Sequence, residues 1–585
     1  MNVDIIKKTY IKLMIVQFFG IVISAANSTI DTMITGLFLG ADVIAATGLF
    51  APVVTLIGLS YVFIIGFQIL CSRSIGSGES RKVVSLFSTS TVFLTVCGVI
   101  ISVSCLVFRE QLALLLSGGK STSNVTAILE DYIHGYSYGI TFQILSGMMM
   151  VFLPLNNNTN LSYLSIVVML VSNISLDLLS VKFELGAFGL GMATSISFLL
   201  SCLSMLPSFI NKYKAVHIEF GDLCFSSLGE AAMLGLPSLM FTLGCTLKSY
   251  VMNMALMRNL GTPAVAVMNV QGNICSIMGA IPMGCANAFL SLGSIYYGEE
   301  DRNSLLALMK YALKTGIILS SAAMVLIISS SYYISDVFFS HDTEAFSISM
   351  NMLTLFPSFL VFNIIFSLFI KVYQFQGQTR LINILSLSEN VIMAVLAAIF
   401  TPMLGSNAVW LSFPASELIC IVIIMLSVFM YAGKITFLMP DWMKLPDAFG
   451  ANEGQFMEFT ITSMEQVMNI SERVIAFCTG RGISLRRSNI AGLAVEEMAG
   501  NVVAHGFRQH KNNYVDLRVV HKDVLTIRIR DNCPEFDPKK RLEQFANDDP
   551  AKNIGIKMIA RLSDEMIYTN TAGINTVMIK LRDNA

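Results

Sequence analysis

Charge is scarce in this chain: Asp, Glu, Lys and Arg make up 13% of its 585 residues, against 54% hydrophobic ones. Soluble domains carry about 25% charged residues, so the shortage argues against an ordinary soluble protein and for a polytopic membrane protein. A basic excess is missing too. The formal net charge of −1 offers nothing to hold a nucleic acid. The eleven Cys show no CxxC or zinc-ligand spacing and mostly fall inside apolar runs, which reads as small buried hydrophobes in a reducing environment. No cleavable leader is expected, because "KKTYIK" runs straight into an apolar segment too long for the core of a signal peptide.

The shortage of charge is uneven. Residues 1–434 hold 19 Lys/Arg and 20 Asp/Glu, whereas residues 456–585 hold 18 and 16 in a far shorter stretch. The second part has the charge content of a soluble domain, so the chain works in two solvents. The change falls at "KITFLMPDWMKLPDAFGANEG" (434–454), where Pro, Gly and an interfacial Trp442 read as a linker.

A spanning helix needs about 20 largely apolar residues. Such segments begin near residues 12, 44, 82, 126, 160 and 187, and again near 228, 263, 305, 345, 379 and 406. The second six repeat the first. At an offset of 221, "LGADVIAATGL" (39–49) lies over "LGTPAVAVMNV" (260–270), "SGESR" (77–81) over "GEEDR" (298–302), and "LGAFGL" (185–190) over "SNAVWL" (406–411). One offset kept that far indicates a duplicated six-helix unit. Six is even, so both copies enter the membrane in the same sense and relate by an axis along its normal. The expected organisation is a repeat over 1–212, a second over 222–433, a linker over 434–455 and a tail domain over 456–585. With the N-terminus inside, inner loops and ends hold fourteen Lys/Arg; outer loops hold Arg109, Lys120, Lys182 and Arg258. The positive-inside rule then puts both termini and the tail in the cytoplasm of a cell with this protein in its plasma membrane.

A carboxylate at a helix centre costs about 2.5–3.5 kcal/mol on insertion scales, so the acids within the spans need a reason. Asp31 in the first span and Asp177 in the fifth fall at one depth, about 25–28 Å from the cytoplasmic end at ~1.5 Å per residue. Asn173 precedes Asp177 by four residues, on the same helical face. Such hard oxygens suit a small cation or a proton. The residues alone also allow mere hydrogen bonding within the bundle. For Lys248 and Glu389, pairing or wetting near a helix end is the plainer expectation, and Glu417 is a weaker candidate still.

"NSTIDTMITGLFLGADVIAATGL" (27–49), "NISLDLLSVKFELGAFGLGMATSIS" (173–197) and "LGLPSLM" (234–240) resemble segments of MATE-type multidrug and toxin extrusion transporters. The resemblance covers residues 10–433. It implies a twelve-helix, two-lobed fold that exports organic, often cationic, compounds in exchange for Na⁺ or H⁺. It also implies that Asp31, Asn173 and Asp177, with Thr194, form the first lobe's cation site. Met252, Ala394 and Ala398 stand at the offset positions, so the second lobe is expected to lack that site.

Beyond the linker the period changes. "FMEFTIT" (456–462), "YVDLRVV" (514–520), "VLTIRIRDN" (524–532) and "NTVMIKLR" alternate as strands do, and "SMEQVMNISERVIAFCTGRG" and "AVEEMAGNVVAHGF" (494–507) read as helices. Helices with a mixed sheet make one α+β domain. Glu497 and Asn501 are four apart and share a helical face, an arrangement that suits a carboxylate base beside a Mg²⁺ ligand. Asp531 ends a strand, where it can accept from an adenine amino group. Gly555 stands at a helix start, where backbone amides favour phosphate.

"VEEMAGNVVAHGF", "IRIRDNCPEFDP" and "NIGIKMIARLSDEMIYTNTAGINTVMIKL" together resemble the ATP-binding domain of the anti-sigma-factor serine kinases, a branch of the histidine-kinase-like (GHKL) ATPases. This resemblance covers about 456–582. It implies ATP and Mg²⁺ as ligands, Glu497 as catalytic base, Asn501 as Mg²⁺ ligand, Asp531 as adenine contact and Asn553 and Gly555 in the phosphate lid. It would also account for the absence of a Walker phosphate loop. Two positions depart from the pattern: Cys533 and Asn553 stand where the family has glycines. The expected partner is a protein of the anti-sigma-antagonist type.

The expected whole is therefore a polytopic α-helical membrane protein of two six-helix parallel repeats carrying an α+β ATPase-like tail. Its expected activity is cation-coupled export of a small organic substrate across the lipid bilayer, with the tail regulatory. The alternative is a sensor whose membrane part controls a serine-kinase or partner-binding tail. On a flexible linker, the tail is expected to have no lever on the bundle.

Overall fold

The computed structural model describes residues 3–117, 124–339, 341, 343–507, 513–538, 540, 554–571 and 573–581. Among them, eleven helical stretches are long and apolar enough to cross a membrane. A twelfth is formed by Asn124–Ser137 and Ile140–Asn156 if that pair, bent by 51°, is one span. The repeat is visible in the element bounds. Asp42–Ser77 corresponds to Thr262–Gly298, Ser80–Val107 to Arg302–Ser329, and Gly186–Ile210 to Ser406–Ala432, all at offsets close to 221.

The two lobes meet through small residues, as helices in lipid do where no hydrophobic gain drives their association. Helix Ser60–Ser77 of the first lobe crosses Leu228–Leu260 and Ala280–Gly298 of the second. A Cβ on Gly66 would strike the Ala231 backbone, one on Gly235 the Val62 carbonyl, and one on Gly76 the Ile295 carbonyl. Polar side chains add to the seam. Gln68 Nε2 donates to Ser291 Oγ at 3.1 Å, and Arg73 to the Phe375 carbonyl.

The segment after the last span is not a loose tether. A short helix, Met439–Trp442, sets Trp442 against Phe369, and Tyr373 donates its hydroxyl hydrogen to the Trp442 carbonyl at 2.7 Å. Met443 and Leu445 are buried in the bundle core, and Phe449 stacks on Tyr297.

The tail holds one five-stranded sheet in the order β1-β2-β3-β5-β4, with β1 Phe456–Ile461, β2 Val515–His521, β3 Leu525–Asp531, β4 Glu565–Thr571 and β5 Ile574–Leu581. All four pairings are antiparallel, so the sheet is not mixed as the sequence suggested. Strand β4 was missed because "EMIYTNT" follows a helix closely and has a polar residue, Asn570, at a buried position. Leu517, Val519, Ile527, Ile529, Val577 and Ile579 point to one face and form a core with helices Met464–Gly480, Leu485–Asn501 and Ile554–Leu562. The alternate residues point away from the helices.

Candidate functional site

In the first lobe, helix Val3–Phe38 and helix Thr159–Lys182 bring the two acids together. The Asp31 and Asp177 carboxyl groups are within hydrogen-bonding reach of each other. Asn173 and Asp177 are buried, Asp31 half-buried. Asn27 Nδ2 donates to Asn173 Oδ1 at 2.7 Å and lies 3.3 Å from Asp31 Oδ2. With the Asn173 amide turned over, its nitrogen donates to Asp31 Oδ1 at 2.8 Å. Two carboxyl groups and two amides thus converge, and all the oxygens they present are hard donors of the kind a small cation or a shared proton takes. Thr194 is placed differently: its hydroxyl donates to the Leu190 carbonyl at 3.2 Å, within its own helix. Asn27 went unassigned in the sequence, although its position one turn before Asp31 was a usable signal.

Among the described residues, the second lobe has no copy of this cluster. Met252 lies in an apolar cluster and Ala394 is buried. Its own acids gather elsewhere: Glu389 and Glu417 are buried and adjoin each other, and Asn363 Nδ2 donates to Glu417 Oε1 at 2.7 Å. Lys248 lies near, over the Phe413 ring. Glu389 is therefore neither wetted nor at a helix end.

In the tail, Glu497 and Asn501 lie one turn apart on helix Leu485–Asn501, both partly exposed. Beyond Asn501 the helix loosens into a π turn, Val502–Gly506. Gly555, in the first turn of its helix, lies so close that any Cβ there would collide with the Glu497 carboxylate. Asp531 ends β3 on the helix-covered face. Asn575 Nδ2 donates to Asp531 Oδ1 at 2.7 Å and the Cys533 amide donates to the same oxygen at 2.9 Å. Burial pushes the Asp531 carboxyl above the ordinary range, partly offset by these two donors. Asn575 is held in turn by Tyr568 and by Asn570, whose polar atoms donate to its Oδ1. This orienting residue was missed; the sign was an Asn at an inward strand position. Cys533, one of the departures, packs on Gly506, where a Cβ would lie 3.0 Å from the Cys533 Cβ. A glycine opposite thus supplies the room that the Cys side chain takes. Asn553 lies outside the described residues.

The MatE family profile matches residues 17–179 and 237–399, more than half of the chain and once in each lobe. The chain belongs to the MatE family. A histidine kinase-like ATPase domain matches residues 461–581 of the same protein. The transporter part of this MatE protein is similar to the multidrug export protein MepA of Staphylococcus saprophyticus, 22% identical over 72% of this chain and 93% of the relative. MepA of Staphylococcus aureus is 21% identical over the same shares. Among solved structures, a MATE protein in complex with MaL6 and an outward-facing multidrug resistance MATE family transporter each superpose with a TM-score of 0.66 at 21% identity. Each match covers 72% of this chain and 94% of the other. The MatE fold and multi-pass membrane character follow, with an ATPase-like domain as an addition beyond what these relatives cover.

Proposed function

We propose that this MatE protein is a cation-coupled antiporter that exports small organic compounds, and that its tail is a regulatory domain binding ATP and Mg²⁺ on the cytoplasmic side. The observation that carries the transport reading is the convergence of Asp31, Asp177, Asn27 and Asn173 from two helices at one depth. An acid pair in lipid is tolerated where it faces an ion or proton path. The coupling ion is H⁺ or Na⁺; the donor set suits both. MepA is named a multidrug export protein, which supports organic compounds as the cargo.

In the tail, Asn501 would hold Mg²⁺, Asp531 the adenine amino group, and the amides around Gly555 a phosphate. The fit rests on a partly exposed Glu497–Asn501 face and a buried carboxylate aimed to the same side of the sheet. Bound ATP would supply the transferable phosphoryl group, and Glu497, one turn from Asn501, would take a proton from a serine hydroxyl. Phosphorylation of an anti-sigma-antagonist-type partner is the finer form of this reading.

Reconstitution tests it. Asp31→Asn in liposomes should abolish efflux driven by a proton or sodium gradient, by at least tenfold, while Glu497→Ala leaves basal efflux near the parent rate. Gradient-driven efflux that survives Asp31→Asn would refute the ion site. A second reading, a sensor that sets the tail's activity, is favoured by the direct contact between tail and bundle. Ligand-dependent serine phosphorylation, lost in Glu497→Ala and without any gradient-driven flux, would establish it instead.

A further inference from the structure

The outward face of the tail sheet is unusual for what it carries. Arg518 on β2 and Arg528 on β3 are direct cross-strand partners, and Arg530 lies two residues further along β3 on the same face. Like charges opposite one another destabilise a sheet. All three arginines are nevertheless buried. Within the tail, Glu458 on β1 lies 3.5 Å from Arg518; the other carboxylates come from the membrane part: Glu299, Glu300 and Asp301, in and beside the turn between helices Ala280–Gly298 and Arg302–Ser329.

Arg518 pairs with Asp301, and Arg530 with Glu299; Arg530 also lies 3.5 Å from Asp301 and Arg528 3.8 Å from Glu299. Lys522 at the strand end adds Glu300. Burial alone would raise the Asp301 carboxyl, but the guanidiniums of Arg518 and Arg530 hold it well below the usual range.

The same face also grips the first lobe, at the turn the repeat makes equivalent. Arg528 Nη2 donates to the Gly76 carbonyl at 3.2 Å, and Lys580 Nζ to the Ser77 carbonyl at 3.3 Å. Met578 and Ile567 cover Gly78, whose φ of +77° and lack of a side chain leave room for them. One guanidinium, that of Arg528, thus touches both lobes.

We propose that the tail domain has a second function, as a lock that holds the two lobes together at the end of the bundle it covers. Its working surface is the open face of the sheet, and the surface's partner is the pair of repeat-related turns, 76–79 and 298–301, of the same chain. The two grips differ in kind. The second lobe is held by buried ion pairs, and breaking one leaves an unpaired buried charge. The first is held by bonds to backbone carbonyls and by apolar contact that includes Ile5 against Tyr514 and Ile574. A partly exposed ion pair, Lys214–Glu535 at 3.0 Å, on the loop after its last helix, adds far less than a buried one would. When the lobes part, the domain therefore stays with the second and lets go of the first. The contacts of the lock form without a bound nucleotide and include no residue of the proposed ion site.

The test uses the full-length protein in lipid nanodiscs, with amide hydrogen exchange followed in segments 73–82 and 296–303. Arg528→Gln should raise exchange in 73–82 about tenfold or more while 296–303 stays protected by Arg518 and Arg530. Glu299→Arg and Arg530→Glu should each raise exchange in both segments, and the two together should restore protection. Restoration by the exchanged pair separates a broken lock from a misfolded tail. Unchanged exchange of 73–82 in Arg528→Gln would overturn the proposal, whatever the exchanged pair shows.

Discussion

Asp531 shows how one residue's burial can favour function over stability. Its carboxyl group lies under the helices at the end of β3, with Asn575 and the Cys533 amide as donors, and burial raises its affinity for a proton. A carboxyl group whose folded value lies above its unfolded one adds stability that is full below the ordinary carboxylate range and is lost as pH rises through the folded value. The tail should therefore be stabler near pH 4–5 than at pH 7 as far as this group decides. Asp531→Asn keeps an oxygen for Asn575 and removes the buried charge. It should raise the tail's melting temperature at pH 7 by about 2–4 °C and flatten that part of the pH dependence. Nucleotide affinity should fall by about 10- to 100-fold, the worth of one hydrogen bond to a charged group. Calorimetric melting and nucleotide titration on one sample check both. A variant that loses stability together with affinity would show Asp531 to be structural.

Among the elements, legibility followed periodicity. The spans were readable because each is a long apolar run, and the duplication because a single offset persisted through loops as well as helices. The acid pair was readable because a carboxylate in such a run stands out against its surroundings. Asn27 and Asn575 were harder to read, since an amide is common in helices and strands and its only signal was position, one turn before Asp31 in one case and inward on a strand in the other. Strand β4 was hidden by its short separation from the preceding helix, and the antiparallel order of the sheet could not come from local patterns. The tether was misread for a related reason. Pro, Gly and polar residues mark it as a linker, but Trp442, Met443, Leu445 and Phe449 recur within it and anchor it to the second lobe. The tail's position is thus fixed twice, by this strap and by the arginine face. Insertion of about six Gly/Ser residues after the exposed Glu453 should leave the tail docked, because the ion pairs at Glu299 and Asp301 do not depend on linker length. The same insertion combined with Arg530→Glu should release it. Protease sensitivity of the 446–456 segment and of the 298–302 turn reads the difference, and a tail freed by the insertion alone would mean that the strap does the holding.

At the scale of the whole molecule, the proposed nucleotide side and the membrane side of the tail are two faces of one strand. In β3, Ile527, Ile529 and Asp531 face the helices, and Arg528 and Arg530 face the bundle. A displacement of β3 by a ligand at Asp531 therefore acts on the neighbouring residue that holds Glu299. Such an arrangement gives a domain without a Walker loop a way to bear on a two-lobed carrier without driving it. On the proposed reading, ATP would need only to change how firmly the lock holds. Linkage makes the claim measurable, because two equilibria that share a coupling free energy influence each other by the same factor. If Mg-ATP tightens or loosens the grip on the 76–79 turn, then breaking that grip must change ATP affinity in the corresponding sense. Arg528→Gln lies on the face away from the proposed nucleotide site and removes no proposed ligand. It should shift the dissociation constant of ATP, measured by calorimetry on the full-length protein, by about 5- to 150-fold, the usual span of such couplings. In the parent protein, Mg-ATP should alter amide exchange in 73–82, and Asp531→Asn should abolish that response while leaving the resting exchange of the segment unchanged. Equal ATP affinity in parent and Arg528→Gln would separate the two faces: the lock would then be a fixed structural brace, and the nucleotide would act only on a partner bound at the helix-covered side.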